Sequence, residues 1–166
     1  MTKPILAPAF CQVAWVVRDM AAAEKFFVET MGISRFLHMD NLAAKDTEGT
    51  YLGKPGNWVC NLHIAYAGDT QIELIQPVSG DSMYQESLDR HGDAVQHVAY
   101  WLDDADYDIV AAHLESLGYS MIQSLRLSIL RVGYFDTRWV IGVVTEIVGS
   151  SEQGHEFRRN LKAGTF

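Results

Sequence analysis

The pattern of hydrophobic and polar residues repeats once along the chain. Residues 12–19 read QVAWVVRD and residues 97–104 read HVAYWLDD: each has a polar residue, Val-Ala-aromatic, two apolar residues and an acidic end. Apolar residues then recur at helical spacing, so each half is predicted to begin with a strand and an amphipathic helix. The helix stripes are Met20, Ala23, Phe27 and Met31 in the first half and Tyr107, Val110, Leu114 and Leu117 in the second.

Both predicted helices carry capping residues at their ends. Asp19 and Asp104 stand where an N-cap side chain accepts a hydrogen bond from the first helical turn. Gly32 and Gly118 follow the last apolar residue, as is common at helix C-termini. The repeat therefore covers a whole strand–helix unit.

Three strand-like runs follow each helix, bounded by Gly, Pro and Asp. They cover residues 33–39, 57–65 and 70–76, and then 119–125, 129–135 and 142–148. This order predicts an α+β fold of two tandem βαβββ modules. We place the first module at 9–78, a linker at 79–94, the second module at 95–149 and a C-terminal tail at 150–166. The linker is expected to contain a short helix around 83–88. The tail has weak periodicity and is expected to be partly flexible.

Composition and charge narrow the class of protein. The chain has 166 residues, 48% of them hydrophobic, and a net charge of −8. No apolar run reaches the roughly 20 residues of a membrane helix, and no secretory signal is visible. The acidic balance argues against a nucleic-acid partner. Cys11 and Cys60 are too few for a disulfide framework and are expected to be buried thiols, so we predict a cytoplasmic protein.

Four polar side chains interrupt otherwise apolar strands: Gln12, Glu73, His97 and Glu146. A carboxylate in such a strand is costly unless it is paired or bound to a cation. Gln12 and His97 occupy equivalent places in the two repeats, and each is followed two residues later by an alanine that leaves room for a cleft. One imidazole, one amide oxygen and two carboxylates suit a divalent first-row metal.

Each of these residues also has a purely structural interpretation. A histidine in an apolar strand is more often a hydrogen-bonded core residue than a ligand, and Glu146 has Arg131 or Arg138 as possible ion-pair partners. His63, also in a strand, is interpreted as a core or interface residue rather than a substrate contact. His38 is interpreted as a solvated side chain.

The same residues resemble the vicinal oxygen chelate superfamily, which includes glyoxalase I, methylmalonyl-CoA epimerase, extradiol dioxygenases and bleomycin-resistance proteins. The resemblance covers residues 9–149 and is carried by residues 12–19, 73–77 (ELIQP), 96–100 (QHVAY) and 145–148 (TEIV). It implies a curved, mostly antiparallel open-barrel sheet with a metal in the cleft. It also implies that Gln12, Glu73, His97 and Glu146 bind Zn, Co, Ni or Mn, with iron disfavoured.

The resemblance implies a metal-dependent isomerase, epimerase or lyase that transfers a proton next to a metal-bound carbonyl of a small molecule. Glu146 is the predicted base and Glu73 its partner across the cleft. The second base of the epimerases has no clear counterpart, since Asp46 and Glu48 lie in a loop of uncertain alignment. A homodimer is also implied, and whether the site lies within one chain or between two stays open.

Two alternatives remain at this point. An extradiol-type dioxygenase binds iron with two His and one Glu, a pattern from which Gln12 departs. A resistance-type protein of the same fold binds a small ligand and needs no metal.

Overall fold

A computed structural model describes residues 6–166, which form one ten-stranded sheet with five α-helices. The strands are β1 (Phe10–Val16), β2 (Leu37–Ala43), β3 (Thr50–Tyr51), β4 (Lys54–Pro55), β5 (Val59–Ala67), β6 (Thr70–Ser79), β7 (Ala94–Asp103), β8 (Met121–Arg126), β9 (Leu130–Phe135) and β10 (Val144–Ser150). The helices are α1 (Met20–Lys25), α2 (Met83–His91), α3 (Asp104–Ser116), α4 (Arg138–Ile141) and α5 (Glu152–Ala163). No helix of these residues is long and apolar enough to cross a membrane.

The sheet contains two four-stranded halves that meet in its middle. The strand order is β2-β5-β6-β1-β7-β10-β9-β8-β3-β4. β1 pairs antiparallel with β7, while β1 with β6 and β7 with β10 are parallel, and the other pairs are antiparallel. The predicted fold class, an α+β structure with a curved and mostly antiparallel sheet, is confirmed.

The two faces of the sheet are packed differently. α1 and α3 each cover a small apolar cluster on what we call the outer face. The largest cluster lies on the inner face, under α2 and α5, and contains Trp58, Met83, Tyr84 and Tyr134. Because period 2 sends alternate residues to opposite faces, the apolar residues of β1 divide between these clusters.

The hairpin β3–β4 was not predicted. It leaves the first half and extends the second, because Thr50 pairs with Ser124 of β8 and their hydroxyls lie 2.7 Å apart. Two strands of two residues each are too short for a period-2 pattern to reveal them. The hairpin therefore ties the two halves together at the far edge of the sheet.

Several predicted boundaries need correction. Asp19 caps α1 as predicted, accepting from the backbone N–H of Ala22, but the N-cap of α3 is Asp103 and not Asp104. α1 ends early and continues as a π-helical turn over Phe26–Thr30. β2 begins at Leu37 rather than at residue 33, because Ile33 is buried beneath α1 as part of the connection.

The C-terminal segment is a helix, so the expectation of a partly flexible tail was wrong. Ser151 caps α5 by accepting from the backbone N–H of Gly154. Leu161 is buried and Phe157 packs beside it against the inner cluster. Only these two large apolar residues of α5 contact the cluster, so the sequence shows no clear helical periodicity of apolar residues here.

Candidate functional site

Four polar side chains converge on the inner face, on the four strands in the middle of the sheet. Gln12 lies on β1, Glu73 on β6, His97 on β7 and Glu146 on β10, and the order of these strands is β6-β1-β7-β10. They are the four residues selected from the sequence. We call them the cleft cluster.

Two alanines at equivalent places in β1 and β7 explain the convergence. Ala14 is paired with Glu73 on one side and with His97 on the other. Ala99 is paired in the same way with the other two members of the cleft cluster. Both alanines are fully buried. Each methyl group leaves room for the longer side chains of its neighbours to meet above it.

The polar atoms of the cleft cluster are within hydrogen-bonding distance of one another. His97 Nε2 lies 2.7 Å from Glu146 Oε2 and 3.1 Å from Glu73 Oε2. Gln12 Nε2 lies 3.1 Å from Glu73 Oε2, 3.1 Å from His97 Nε2 and 3.3 Å from Glu146 Oε2. One chain supplies all four side chains, so a partner subunit is not needed to bring them together.

Burial sets the electrostatics of the cleft cluster. Glu73 and Glu146 are 5% and 4% exposed and His97 is fully buried. Desolvation raises the pKa of the Glu73 carboxyl. Burial alone would lower the pKa of His97, but the charge of Glu146 and hydrogen bonds to both carboxylates outweigh it and raise the pKa to about 9. Without a metal, the imidazole is therefore protonated at neutral pH.

Gln96 orients the His97 ring. Its Oε1 lies 2.7 Å from His97 Nδ1, which therefore carries a hydrogen and leaves Nε2 for the centre of the cluster. Adjacent strand residues normally point to opposite faces. Here the pairing of β1 with β7 passes from Ala14–His97 to Trp15–Val95, so Gln96 is the extra residue of a bulge that redirects its side chain.

With both carboxylates ionised, no placement of the remaining hydrogens satisfies every contact of the cleft cluster. If His97 Nε2 carries a hydrogen, it faces the amide NH₂ group of Gln12; if it does not, it faces the oxygen of Glu146. Turning the Gln12 amide instead directs its oxygen at both carboxylates. A dication at the centre removes this conflict, because two carboxylate oxygens, an imidazole nitrogen and an amide oxygen all offer lone pairs to it. The residues present therefore fit a divalent first-row metal, and two carboxylates with a neutral histidine balance its charge.

Comparison with known proteins assigns the family. The family description "Glyoxalase/Bleomycin resistance protein/Dioxygenase superfamily" matches residues 11–127. The chain belongs to this superfamily. No protein with a curated description matches it in sequence.

Solved structures similar to this superfamily member include methylmalonyl-CoA epimerases. The epimerase of Mycobacterium tuberculosis shares 20% identity, with 92% of this chain and 95% of that chain covered and a TM-score of 0.65. A Streptomyces coelicolor methylmalonyl-CoA epimerase variant in complex with 2-nitronate-propionyl-CoA shares 20% identity, with 86% of this chain and 94% of that chain covered and a TM-score of 0.59. A hypothetical protein from Bacillus halodurans C-125 shares 18% identity, with 87% of this chain and 95% of that chain covered and a TM-score of 0.64. At such identities the likeness establishes the shared fold.

A cleft of about 410 Å³ opens above the cleft cluster and exposes Gln12, Glu73 and Glu146 at its floor. Apolar side chains dominate its wall: Leu37, Met39, Leu42, Leu62, Ile64, Trp101, Leu125, Leu127, Ile129, Leu130, Val132, Val148 and Phe157. The volume is in the range of small-molecule sites. A ligand that filled this cleft would lie directly above the two carboxylates.

Tyr134 is a cleft residue that the sequence reasoning missed. It pairs with Glu146 across β9 and β10, its ring lies 5.3 Å from the ring of His97, and it lines the cleft. Its hydroxyl accepts a hydrogen bond of 2.8 Å from Tyr84. Burial raises the pKa of both phenols well above the usual value, so both stay neutral. Tyr134 lies in the cleft because β9 pairs with β10. The order of the strands along the sequence alone does not give that pairing.

The interpretation of Glu146 as the ion-pair partner of Arg131 or Arg138 is wrong. Arg131 is bound by Asp104 and Asp108 on the outer face, and Arg138 is bound by Asp136. Neither arginine contacts Glu146. Its only ion-pair partner among residues 6–166 is His97.

His63 does not enter the cleft, because it lies on the outer face of β5. Glu24 of α1 lies 2.6 Å from its Nδ1, and Asp40 lies 3.1 Å from its Nε2. His38 stacks on it with ring centroids 3.8 Å apart and contacts Glu24 at 3.0 Å. His38 is therefore a member of a cluster and not simply solvated. We call these four residues the outer cluster.

The loop with Asp46 and Glu48 supplies no second base. Asp46 ends a 3₁₀ turn over Ala44–Asp46, and Glu48 is highly exposed near Arg126. Neither residue lines the cleft.

Proposed function

We propose that this superfamily member is a metal-dependent isomerase, epimerase or lyase that moves a proton next to the carbonyl group of a small molecule. The observation that carries the proposal is the cleft cluster, whose metal-binding donor set lies at the floor of a ligand-sized cleft. The likeness to proteins named methylmalonyl-CoA epimerase supports this class of reaction.

Gln12, Glu73, His97 and Glu146 would hold the ion, with Zn, Co, Ni and Mn favoured over Fe. When bound, a divalent cation supplies a Lewis acid that stabilises negative charge developing on the substrate oxygen. Gln96 keeps Nε2 of His97 directed at the centre through its contact with Nδ1.

The carboxylates are the groups that would move the proton. Glu146 takes the proton from the carbon beside the carbonyl, and Glu73, on the opposite side of the cluster, returns one. Both carboxylates face the cleft, where they can reach a bound substrate. The apolar wall excludes water, which strengthens these electrostatic interactions.

Solvent-deuterium exchange tests the proposal. Purified protein is treated with chelator, reloaded with Zn²⁺, Co²⁺ or Ni²⁺, and mixed in D₂O with a panel of neutral ketones and aldehydes and with methylmalonyl-CoA. We expect NMR to show deuterium entering beside the carbonyl of at least one compound only after reloading. Exchange that is equally fast in the chelated protein contradicts a metal-dependent reaction. Exchange with no compound under any metal contradicts the proton transfer itself.

The apolar wall specifically favours a second candidate, a protein that binds a small apolar ligand without transforming it. That function predicts ligand binding that persists after chelation and no deuterium exchange. The iron-dependent dioxygenase has no comparable support, since the cleft cluster holds one histidine where that chemistry uses two.

A homodimer in the cytoplasm completes the proposal. The strands β2 and β4 form the two ends of the sheet and offer unpaired backbone groups for association. Light scattering after size exclusion should give twice the mass of 18.6 kDa. A monomer at all concentrations contradicts this part and leaves the site unaffected.

A further inference from the structure

The wall of the cleft differs from its floor in carrying no charged side chain. Among the described residues that line it, none is lysine or arginine, and the ionisable groups are Glu73, Glu146 and Tyr134. Arg158 is near one wall residue, with its guanidinium carbon 5.1 Å from the Trp101 ring centre, but it does not line the cleft, and its Nε donates to the Tyr66 hydroxyl.

A carboxylate bound in such a wall would be desolvated without a partner. The cost of burying an unpaired charge is several kcal/mol. An apolar ligand body is stabilised instead, by about 25 cal/mol for each Å² of apolar surface removed from water. The wall therefore discriminates against anionic ligands and in favour of neutral, apolar ones.

One neutral polar group lies beside the floor. Gln71 lines the cleft two residues before Glu73 and pairs with Gln12 of β1. It is 2% exposed, and its Oε1 has no hydrogen-bond partner among residues 6–166. A buried amide oxygen without a partner costs about 1–3 kcal/mol, so a ligand that supplies a donor there gains affinity.

We infer that the substrate is a neutral, apolar carbonyl compound, with a hydroxyl group or similar donor within reach of Gln71, and not a carboxylate-bearing coenzyme A ester. The inference rests on the proposed function for the position of the carbonyl above the cleft cluster. It differs from what the names of the similar structures say of those proteins, which act on methylmalonyl-CoA.

Ligand affinity measured with matched compounds tests the inference. Because Trp101 is part of the wall, its fluorescence reports binding. Zn²⁺-loaded protein is titrated with an aromatic hydroxyketone, with the same ketone lacking the hydroxyl, with its carboxylate analogue, and with methylmalonyl-CoA. We expect the neutral ketones to bind at least about 100-fold more tightly than the carboxylate analogue, and Gln71→Leu to remove the preference for the hydroxyl. Equal or tighter binding of the carboxylate analogue or of methylmalonyl-CoA overturns the inference.

A gain-of-function variant tests the role of charge without disturbing the core. Ser128 is an exposed lining residue, so Ser128→Lys places a cation at the cleft rim. It should improve binding of the carboxylate analogue by about tenfold, whereas Ser116→Lys, an exposed site on α3, should not. An unchanged affinity in both variants contradicts the inference.

The two proposals fail in different ways. Preference for the carboxylate, with deuterium exchange intact, removes only the substrate class. Preference for neutral ligands, without any exchange, removes only the reaction.

Discussion

The cleft cluster and the outer cluster are built from the same kinds of side chain but lie on opposite faces of one sheet. In the cleft cluster, His97 is fully buried between two carboxylates at the floor of an apolar cleft. In the outer cluster, His63 also lies between two carboxylates, but the side chains of His38 and Asp40 are 48% and 56% exposed. Residue type alone therefore does not decide whether such side chains lie buried at a cleft or exposed on the surface.

Enclosure is what distinguishes the two clusters. Solvent near the outer cluster screens its charges, so its contacts tie α1 to β2 and β5 with little energy in each. The side chains of the cleft cluster are almost fully buried, so each charge depends on its neighbours or on a bound cation. Five measurements test this difference, from the largest expected effect to the smallest.

Removing the proposed base should have the largest effect. Glu146→Gln keeps the shape of the side chain but cannot accept the proton, so deuterium exchange should fall at least about 10³-fold, within the usual range for a general base. His113→Ala, on the surface of α3, serves as the matched control and should leave exchange unchanged. If Glu146→Gln retains more than a tenth of the native rate, Glu146 is not the base.

Removing the histidine of each cluster should separate them in stability. In the metal-free protein, His97→Ala leaves two buried carboxylates without a positively charged partner, and we expect the free energy of unfolding to fall by about 3–5 kcal/mol. His63→Ala should lower it by about 1 kcal/mol, because its neighbours reach solvent. Urea denaturation measures both values, and equal losses would refute the argument from enclosure.

The pH dependence of stability should report His97. Folding raises its pKa from 6.5 to about 9, so the stabilisation is fully present below pH 6.5 and is lost as the pH rises through 9. The metal-free protein should therefore lose a few kcal/mol of unfolding free energy between about pH 6.5 and 9, since one pKa unit corresponds to about 1.4 kcal/mol.

Metal binding should depend on pH in the opposite direction, because the metal competes with the proton for His97. At pH 7, Zn²⁺ displaces the proton of His97, so calorimetry in buffers of different ionisation enthalpy should detect about one proton released, and affinity should rise with pH. A metal-free His97→Ala protein that still loses the same free energy of unfolding between about pH 6.5 and 9 would show that a group other than His97 titrates.

Removing the orienting contact of His97 should have the smallest effect. Gln96→Leu leaves the four proposed ligands in place but frees the ring, and zinc affinity should fall by about tenfold in competition with a chelating dye. Gln153→Leu, the same substitution at an exposed position of α5, is a suitable control for the purification and the assay. An unchanged affinity would mean that packing alone holds the ring.

The fold class and the convergence of Gln12, Glu73, His97 and Glu146 could be predicted from the sequence because each half carries its own copy of the pattern. Gln12 and His97 stand at the same place in two similar strands, and the register of the sheet then sets their spacing. The four roles remain predictions, but the convergence of the side chains needed only the repeat and the pairing of like strands.

The features that were missed depend on contacts between segments distant in sequence. Tyr134 reaches the cleft through the pairing of β9 with β10, and Gln96 faces His97 only because of a bulge. The hairpin at Thr50 is too short for a pattern, and α5 shows few apolar residues. His63 and His38 form a pair because β2 aligns with β5 in that register. Periodicity along one segment contains no information on these pairings.

The central claim is that the four side chains of the cleft cluster bind one dication within a single chain. Crystals of chelated protein reloaded with Co²⁺, measured at the cobalt absorption edge, test it directly. We predict an anomalous peak about 2.0–2.3 Å from His97 Nε2 and from oxygens of Gln12, Glu73 and Glu146 of the same chain. No peak among these four side chains, with the same polar atoms still in mutual contact, would contradict the claim.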